Sequence, residues 1–318
     1  MKTIFLTLST GYILMFFSEH VFWARYRPGQ DTFADLLFTW LAYSLLAYVF
    51  LSAIRLFRVR QVWALFLCGA LFGWLAEGVI VQTMYADFPI NLAWTGLAWH
   101  ALISVMFGWY VLRRVLLQNN PPKTILVAGL AGVIWGIWAI FWWLEDPATR
   151  NSPAGFAVFA FAITGLLIAS EWVFNWSIQA GFSPNKWVLT GFCSLLALNF
   201  ALVVVPAVPI AAPILPPLVA LVLFALWRNR QIESETDLLE YLRGPIHPWN
   251  YTTLFAMPAA AALVYSLADL VRLEIYTNYG IFILTTIVGA TLFIISLAII
   301  LRTKQRTTLT LTKEDNHV

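Results

Sequence analysis

Charge is what this chain has least of. Asp, Glu, Lys and Arg supply 11% of its 318 residues, while 61% are hydrophobic. A soluble domain carries about 25% charged residues. With a mean hydropathy of +0.78, the composition excludes a water-soluble globule and points to an integral membrane protein. It also excludes nucleic acid as a partner, because there is no basic stripe to follow a phosphate backbone. Cysteine is nearly missing. Cys68 and Cys193 sit inside apolar runs and read as two small buried hydrophobes with no disulfide framework. Catalytic signatures are missing too. There is no HExxH, HxxxH or paired ExxH spacing, no GxSxG, no P-loop, no GxGxxG and no DDxxD-type diphosphate motif. The sequence therefore names no metal and no cofactor, and it argues against a prenyltransferase.

What is present is a series of long apolar runs. About 20 such residues cross a bilayer as a helix. The predicted fold is all-α, a polytopic membrane helical bundle of about ten transmembrane helices near 3–23, 33–54, 62–83, 92–112, 124–143, 155–176, 187–205, 213–227, 252–271 and 280–301. They form one domain over 1–301, followed by a flexible polar tail at 302–318. The opening MKTIFLTLSTGYILMFF lacks a small-x-small cleavage site downstream and reads as an uncleaved first helix. Alternate connections are rich in Lys and Arg, while Arg25, Arg27, Arg150 and Arg272 alone fall on the other side. By the positive-inside rule this puts both termini in the cytoplasm of a cell (inner) membrane, with an even number of spans.

Three stretches between or within spans carry further expectations. In VVVPAVPIAAPILPPLV, five prolines remove amide donors, so 206–217 is either a tight external turn or a broken helix. In the connection 228–250, Ser234 to Asp237 resembles a helix start, and Leu238, Leu239 and Leu242 give an apolar face. A short amphipathic helix along the inner interface is expected there. Trp23, Tyr26, Tyr85, Trp94, Trp142, Trp143, Tyr276 and Tyr279 crowd the outer ends as an aromatic belt. Trp135, Trp138 and Trp142 share one helical face and read as packing tryptophans or a stacking wall.

Ionisable residues inside the spans need a reason, since a charge at mid-membrane costs about 2.5–3.5 kcal/mol on insertion scales. At 1.5 Å per residue, Glu77 and His100 lie roughly 9 and 12 Å from the outer ends of two spans joined by a short link. Gly69, Gly73 and Glu77 repeat at i+4, as do Gly96, His100, Ser104 and Gly108. Small-residue ridges mark helix contact in membranes, so both polar groups are expected to face inward at one level. Glu19, His20, Asp269 and Arg272 belong to the same outer layer and are candidate substrate-binding residues around an outward cavity. Glu171 falls near the inner end and is expected to meet Lys186 or the interface.

Two short strings resemble known families. LAEGVIVQTMY resembles the Glu-Gly and Tyr pattern of carotenoid hydratase and lycopene cyclase membrane proteins at Glu77, Gly78 and Tyr85, without their glycine-rich continuation. EHVFWAR is similar to the EExxxR signature of intramembrane CAAX-type proteases, with His20 in place of the second Glu and Arg25 one residue late. Neither assigns a family. The residues themselves support an acid–base pair, Glu77 and His100, in a membrane-embedded enzyme whose partner is a lipid-like or other hydrophobic small molecule. A proton-coupled secondary transporter, or a scaffold in which the pair only ties two helices, is the alternative.

Overall fold

The structure, a computed structural model, describes residues 1–27, 31–230 and 237–302. Among the described residues there is no strand, and ten helices are long and apolar enough to cross a membrane. They are α1 (Lys2–Trp23), α2 (Phe33–Leu56), α3 (Val62–Ile80), α4 (Leu92–Leu116), α5 (Pro121–Glu145), α6 (Pro153–Ile178), α7 (Lys186–Ala207), α8 (Ala211–Arg230), α9 (Pro248–Leu270) and α10 (Asn278–Arg302). The chain is a multi-pass membrane protein. Each expected span is present, with ends moved by a few residues. The proximal end of the bundle is the one bearing Lys2, and the distal end bears the α1–α2 and α3–α4 connections.

Helices α1 to α4 form the centre. α1 packs against α2, α4 and α6; α3 packs along α4; α5 packs along α9; and α10 lies over α3 and α4. Burial follows this order, from 78% of the α3 stretch to 11% of α7, which faces outward. Cys193 on α7 is accordingly exposed, unlike the buried Cys68; the expectation of two buried thiols holds for one.

Small residues set the close contacts, because in lipid it is backbone approach and van der Waals packing that hold helices together. A Cβ added at Gly73 would meet the Gly96 carbonyl and stand 2.8 Å from the His100 Cβ; one added at Gly69 would stand 3.0 Å from the Ala101 Cα. The glycine ridge of the sequence is thus the α3–α4 seam.

The winding of the helices has no signal in the sequence. Among the described residues four segments bond i→i+5 rather than i→i+4: Phe16–His20 in α1, Ala76–Ile80 in α3, Leu92–Val111 in α4 and Phe200–Val204 in α7. Such π-winding is rare and often marks functional sites. It also takes carbonyls out of the usual ladder, and no water in the hydrocarbon layer can replace their donors. Side chains do so here. The Trp99 indole donates to the Ser18 carbonyl at 3.1 Å, the Tyr85 hydroxyl to that of Gly78 at 3.0 Å, and the Asn199 amide to that of Val79 at 2.8 Å. At the frayed end of α1, Trp138 and Trp142 both donate to the Phe22 carbonyl, at 2.6 and 2.9 Å.

Several expectations change accordingly. Trp94, Trp142 and Trp143 are buried, and Trp142 is committed to Phe22; Tyr26, Tyr276 and Tyr279 are the exposed belt residues. The proline run resolves into two helices joined by a tight turn at Val208–Ile210. Pro213 falls in the first turn of α8, where amides have no helical acceptor, and only Pro216 and Pro217 lie inside the helix. Among its described residues the α8–α9 connection holds one helical turn, Leu238–Tyr241, capped by Asp237. Its Leu238, Leu239 and Leu242 are buried in the bundle rather than spread along the interface, because Arg55 grips Asp237 at 2.7 Å and Arg113 donates to the Leu242 carbonyl at 3.1 Å. The start expected at Ser234 and the tail expected from 302 onward lie outside the described residues, apart from Arg302, which ends α10. Glu171 reaches neither Lys186 nor the interface. It is fully buried, 3.5 Å from Arg113, since a carboxylate at that depth needs a cation beside it.

If the α3–α4 seam depends on backbone approach, Gly73→Leu should lower thermal stability in detergent by about 1–3 kcal/mol through overpacking. Gly165→Leu, on a face with nothing within 4 Å, should leave the melting temperature unchanged in the same assay.

Candidate functional site

Glu77 leaves the π-wound turn at the distal end of α3, and His100 leaves α4 opposite it. Their side chains meet, Glu77 Oε1 to His100 Nε2, at 2.7 Å. His100 is 2% exposed and Glu77 12%, so the carboxylate is the open end of the pair. Its other oxygen accepts from the Thr83 hydroxyl. The aromatic edges of Phe72 and Tyr43 wall the imidazole, with ring centroids 5.6 and 6.4 Å away.

The far side of the imidazole is held by a residue that was not among the sequence candidates. Ser18 Oγ lies 2.9 Å from His100 Nδ1 and 2.8 Å from Ser104 Oγ; Ser104 in turn donates to the Trp99 carbonyl at 3.1 Å. This last bond steps back five residues, as the winding of α4 allows. Ser18 stands on the π-wound turn of α1, Glu77 on that of α3, and His100 and Ser104 on that of α4. Ser104 had a signal, its place on the ridge with His100. Ser18 precedes Glu19 and His20 in the same outer polar layer, but nothing in the sequence announces that α1 crosses α4 at this level.

Proton positions follow from donor and acceptor balance. A carbonyl only accepts, so the Ser104 proton points to Trp99. Ser18 then donates to Ser104 and accepts from Nδ1–H of His100. That leaves a single proton between Nε2 and Glu77, carried either as carboxylate with imidazolium or as carboxylic acid with neutral imidazole. In both forms the pair is neutral overall, which the low-dielectric setting demands. Removing that proton would require Nε2–H to face the carboxylate, Ser18 to donate to Nδ1 and Ser104 to turn away from Trp99. Protonation at Glu77 is therefore mechanically tied to two buried hydroxyls.

The other predicted residues divide. Glu19 accepts from the Tyr43 hydroxyl at 2.7 Å and from the Trp23 indole at 3.1 Å. Tyr43 lies within electrostatic reach of both Glu19 and Glu77, so Glu19 belongs to the same layer. His20 is buried on another face of α1, against Tyr12, Phe16 and Phe159. With Glu19, Arg25, Arg27 and Asp31 it borders a cavity of about 60 Å³, room for a few waters. Arg25, just beyond α1, pairs with Asp146 at 3.1 Å and lies over Trp142. Burial pulls its guanidinium below the ordinary arginine value, and Asp146 opposes that pull.

Asp269 and Arg272 do not join this constellation. Asp269 pairs with Arg150 at 2.6 Å, both about one-third exposed, and Arg272 is exposed past the end of α9 with φ +51°. Asp269 and Arg272, though three residues apart, do not pair, because the helix ends between them. Among the described residues no cluster of three metal-ligating side chains occurs.

Toward the proximal end the pair meets a floor of aromatic rings: Phe72, Phe50 and Trp109 in edge contact, with Phe174 beyond. A separate apolar cavity of about 330 Å³ lies between α1, α4 and α5, lined by Phe17, Val21, Trp99, Trp135 and Trp138 among others. Trp99 stands between the two, with its ring on the cavity and its N–H on Ser18. No family model, curated protein or solved structure matches this chain.

Ser18→Ala should strand the Nδ1–H donor of His100 in an apolar site. A buried donor left unpaired costs about 1–3 kcal/mol, so the variant should melt at lower temperature, while Ser18→Thr, which keeps the hydroxyl, should recover most of the loss.

Proposed function

We propose that this protein is a membrane-embedded enzyme acting on a lipid or isoprenoid-like substrate, with Glu77 and His100 as its acid–base pair near the outer leaflet. The observation that carries the reading is the 2.7 Å contact between a partly open carboxylate and a buried imidazole that is held from behind by Ser18. A base oriented by a third group is the arrangement general acid–base catalysis needs. Glu77 would exchange the shared proton with substrate, His100 would stabilise either protonation state, and the two serines would turn to follow it. Glu19 and His20 border the neighbouring polar cavity and would meet the polar part of a substrate. Asp269 and Arg272 have no part in this reading.

Two observations favour an enzyme over a proton-coupled transporter. The hydroxyl chain ends on a backbone carbonyl, so it holds a proton without passing it on. The aromatic rings below the pair close the way to the proximal end. The proline run, which would have favoured transport had it been a broken helix, is a turn.

The reading is tested by Glu77→Gln and His100→Gln in cells, with extracted lipids compared by mass spectrometry. Loss of a general acid or base lowers turnover by about 10²–10⁴, so a substrate lipid should accumulate while the protein level stays normal. An unchanged lipid profile with unimpaired function would overturn it, and Glu77-dependent proton flux in liposomes would select a transporter.

The same reading places the proximal end, with both termini, in the cytoplasm, following the Lys and Arg distribution. In a background with Cys68 and Cys193 replaced by alanine, a membrane-impermeant maleimide applied to cells should label Ala148→Cys and not Gln118→Cys. Both positions are exposed, so the opposite pattern would reverse the orientation.

A further inference from the structure

The proximal end holds a second site that owes nothing to Glu77 or His100. Where α1 and α2 meet the α6–α7 and α8–α9 connections, a cavity of about 540 Å³ is lined by Lys2, Thr3, Arg55, Ser183, Glu240 and Arg243, with the 180–182 stretch beside them. The cations there are not equivalent. Arg55 is engaged by Asp237 at 2.7 Å and by Glu240 at 3.7 Å. Lys2 rests over the Trp176 ring, 5.3 Å from its centre, with no carboxylate in ion-pair range among the described residues. Arg243 likewise has no carboxylate partner among the described residues, and its Nε is buried without an acceptor. Among the described residues, two cations without anions thus face one polar cavity, one of them with an unfilled hydrogen-bond direction.

This cavity does not end in solvent-facing backbone. Thr3 and Ser183 also line a second hollow of about 540 Å³ that runs between α1, α2 and α7. Its walls are mostly aliphatic and aromatic, including Leu8, Leu41, Leu45 and Phe192. From Tyr48 to Leu41 it follows α2 for seven residues, roughly 10 Å into the hydrocarbon layer. A positive, hydrogen-bonding mouth at the membrane surface is therefore continuous with an apolar groove below it. A water-soluble anion would use the mouth and leave the groove unfilled; a neutral lipid would use the groove and leave the cations unpaired.

We propose that these two hollows form one binding site for an anionic phospholipid of the proximal leaflet. The phosphate lies between Lys2 and Arg243, whose planar guanidinium suits phosphate oxygens. One acyl chain lies in the α1–α2–α7 groove. Among the described residues Glu240 is the one carboxylate lining the mouth, and it limits how much negative charge the headgroup carries. Basic pockets between helices at a membrane surface bind anionic headgroups in this way.

The test is native mass spectrometry of the purified full chain in neutral detergent, titrated with phosphatidylglycerol, with phosphatidylcholine and with inorganic phosphate. Phosphatidylglycerol should bind in preference to phosphatidylcholine. Lys2→Gln and Arg243→Gln should each weaken it about fivefold, and the pair of changes about thirtyfold. Glu240→Gln should tighten it, an outcome that no folding defect can imitate. Leu41→Trp, which fills the groove at an exposed position, should weaken phosphatidylglycerol. Equal binding of the two lipids, or indifference to both cation changes, would overturn the proposal. Displacement of phosphatidylglycerol by millimolar inorganic phosphate would also overturn it, and would assign the mouth to a soluble phosphate compound.

Discussion

A carboxylate buried among helices in a membrane must either keep a proton or keep a cation, and Glu77 is placed to share both with His100. Much of the distal half of the bundle follows from that requirement. The imidazole has to be fixed so that Nε2 faces the carboxylate, which calls for a hydroxyl behind it from a third helix. Ser18 can supply that hydroxyl only if α1 comes within hydrogen-bonding distance of α4 at this level, and the Ser18–Ser104 contact at 2.8 Å shows that it does. The neutral, fully hydrogen-bonded pair is then compatible with an apolar surround of Phe72 and Tyr43.

The means by which the backbone achieves this is π-winding. Each of the three helices that supply the pair and its serines leaves the α pattern where it does so. Carbonyls released in this way would be intolerable in hydrocarbon, and the tryptophan, tyrosine and asparagine donors at Ser18, Gly78 and Val79 answer them. Several aromatics that composition assigns to an interfacial belt are instead hydrogen-bond donors inside the bundle. At the proximal end the same rule works through ion pairs: Arg113 and Glu171 are both buried and face each other, and the same arginine clamps the Leu242 carbonyl.

The sequence made the class, the number of helices and the Glu77–His100 contact legible, for identifiable reasons. Apolar runs of the right length report spans directly, and an i+4 ridge of glycines reports a seam between neighbours joined by a short link. It did not report Ser18, Tyr43 or Arg113 as partners, because those contacts cross between helices far apart in sequence, where no periodicity carries information. It misplaced Asp269 and Arg272 because the helix end between them depends on local backbone geometry. The short helix at Leu238–Tyr241 was read as interfacial from its leucines, yet the anchoring cations that draw it inward, Arg55 and Arg113, lie on distant helices.

The shared-proton pair stands or falls on where the protons of His100 reside. Nitrogen NMR of protein labelled with ¹⁵N-histidine, with His100→Gln to identify the signal, reads this directly at neutral pH. His100 should carry a proton on Nδ1, either as the Nδ1–H tautomer or as imidazolium, and the signal should shift when Ser18 is replaced by alanine. A neutral ring protonated only on Nε2 would mean that Ser18 donates to the imidazole and that Glu77 is a carboxylate accepting from Nε2–H, leaving the pair with a net negative charge and no shared proton, which contradicts the account.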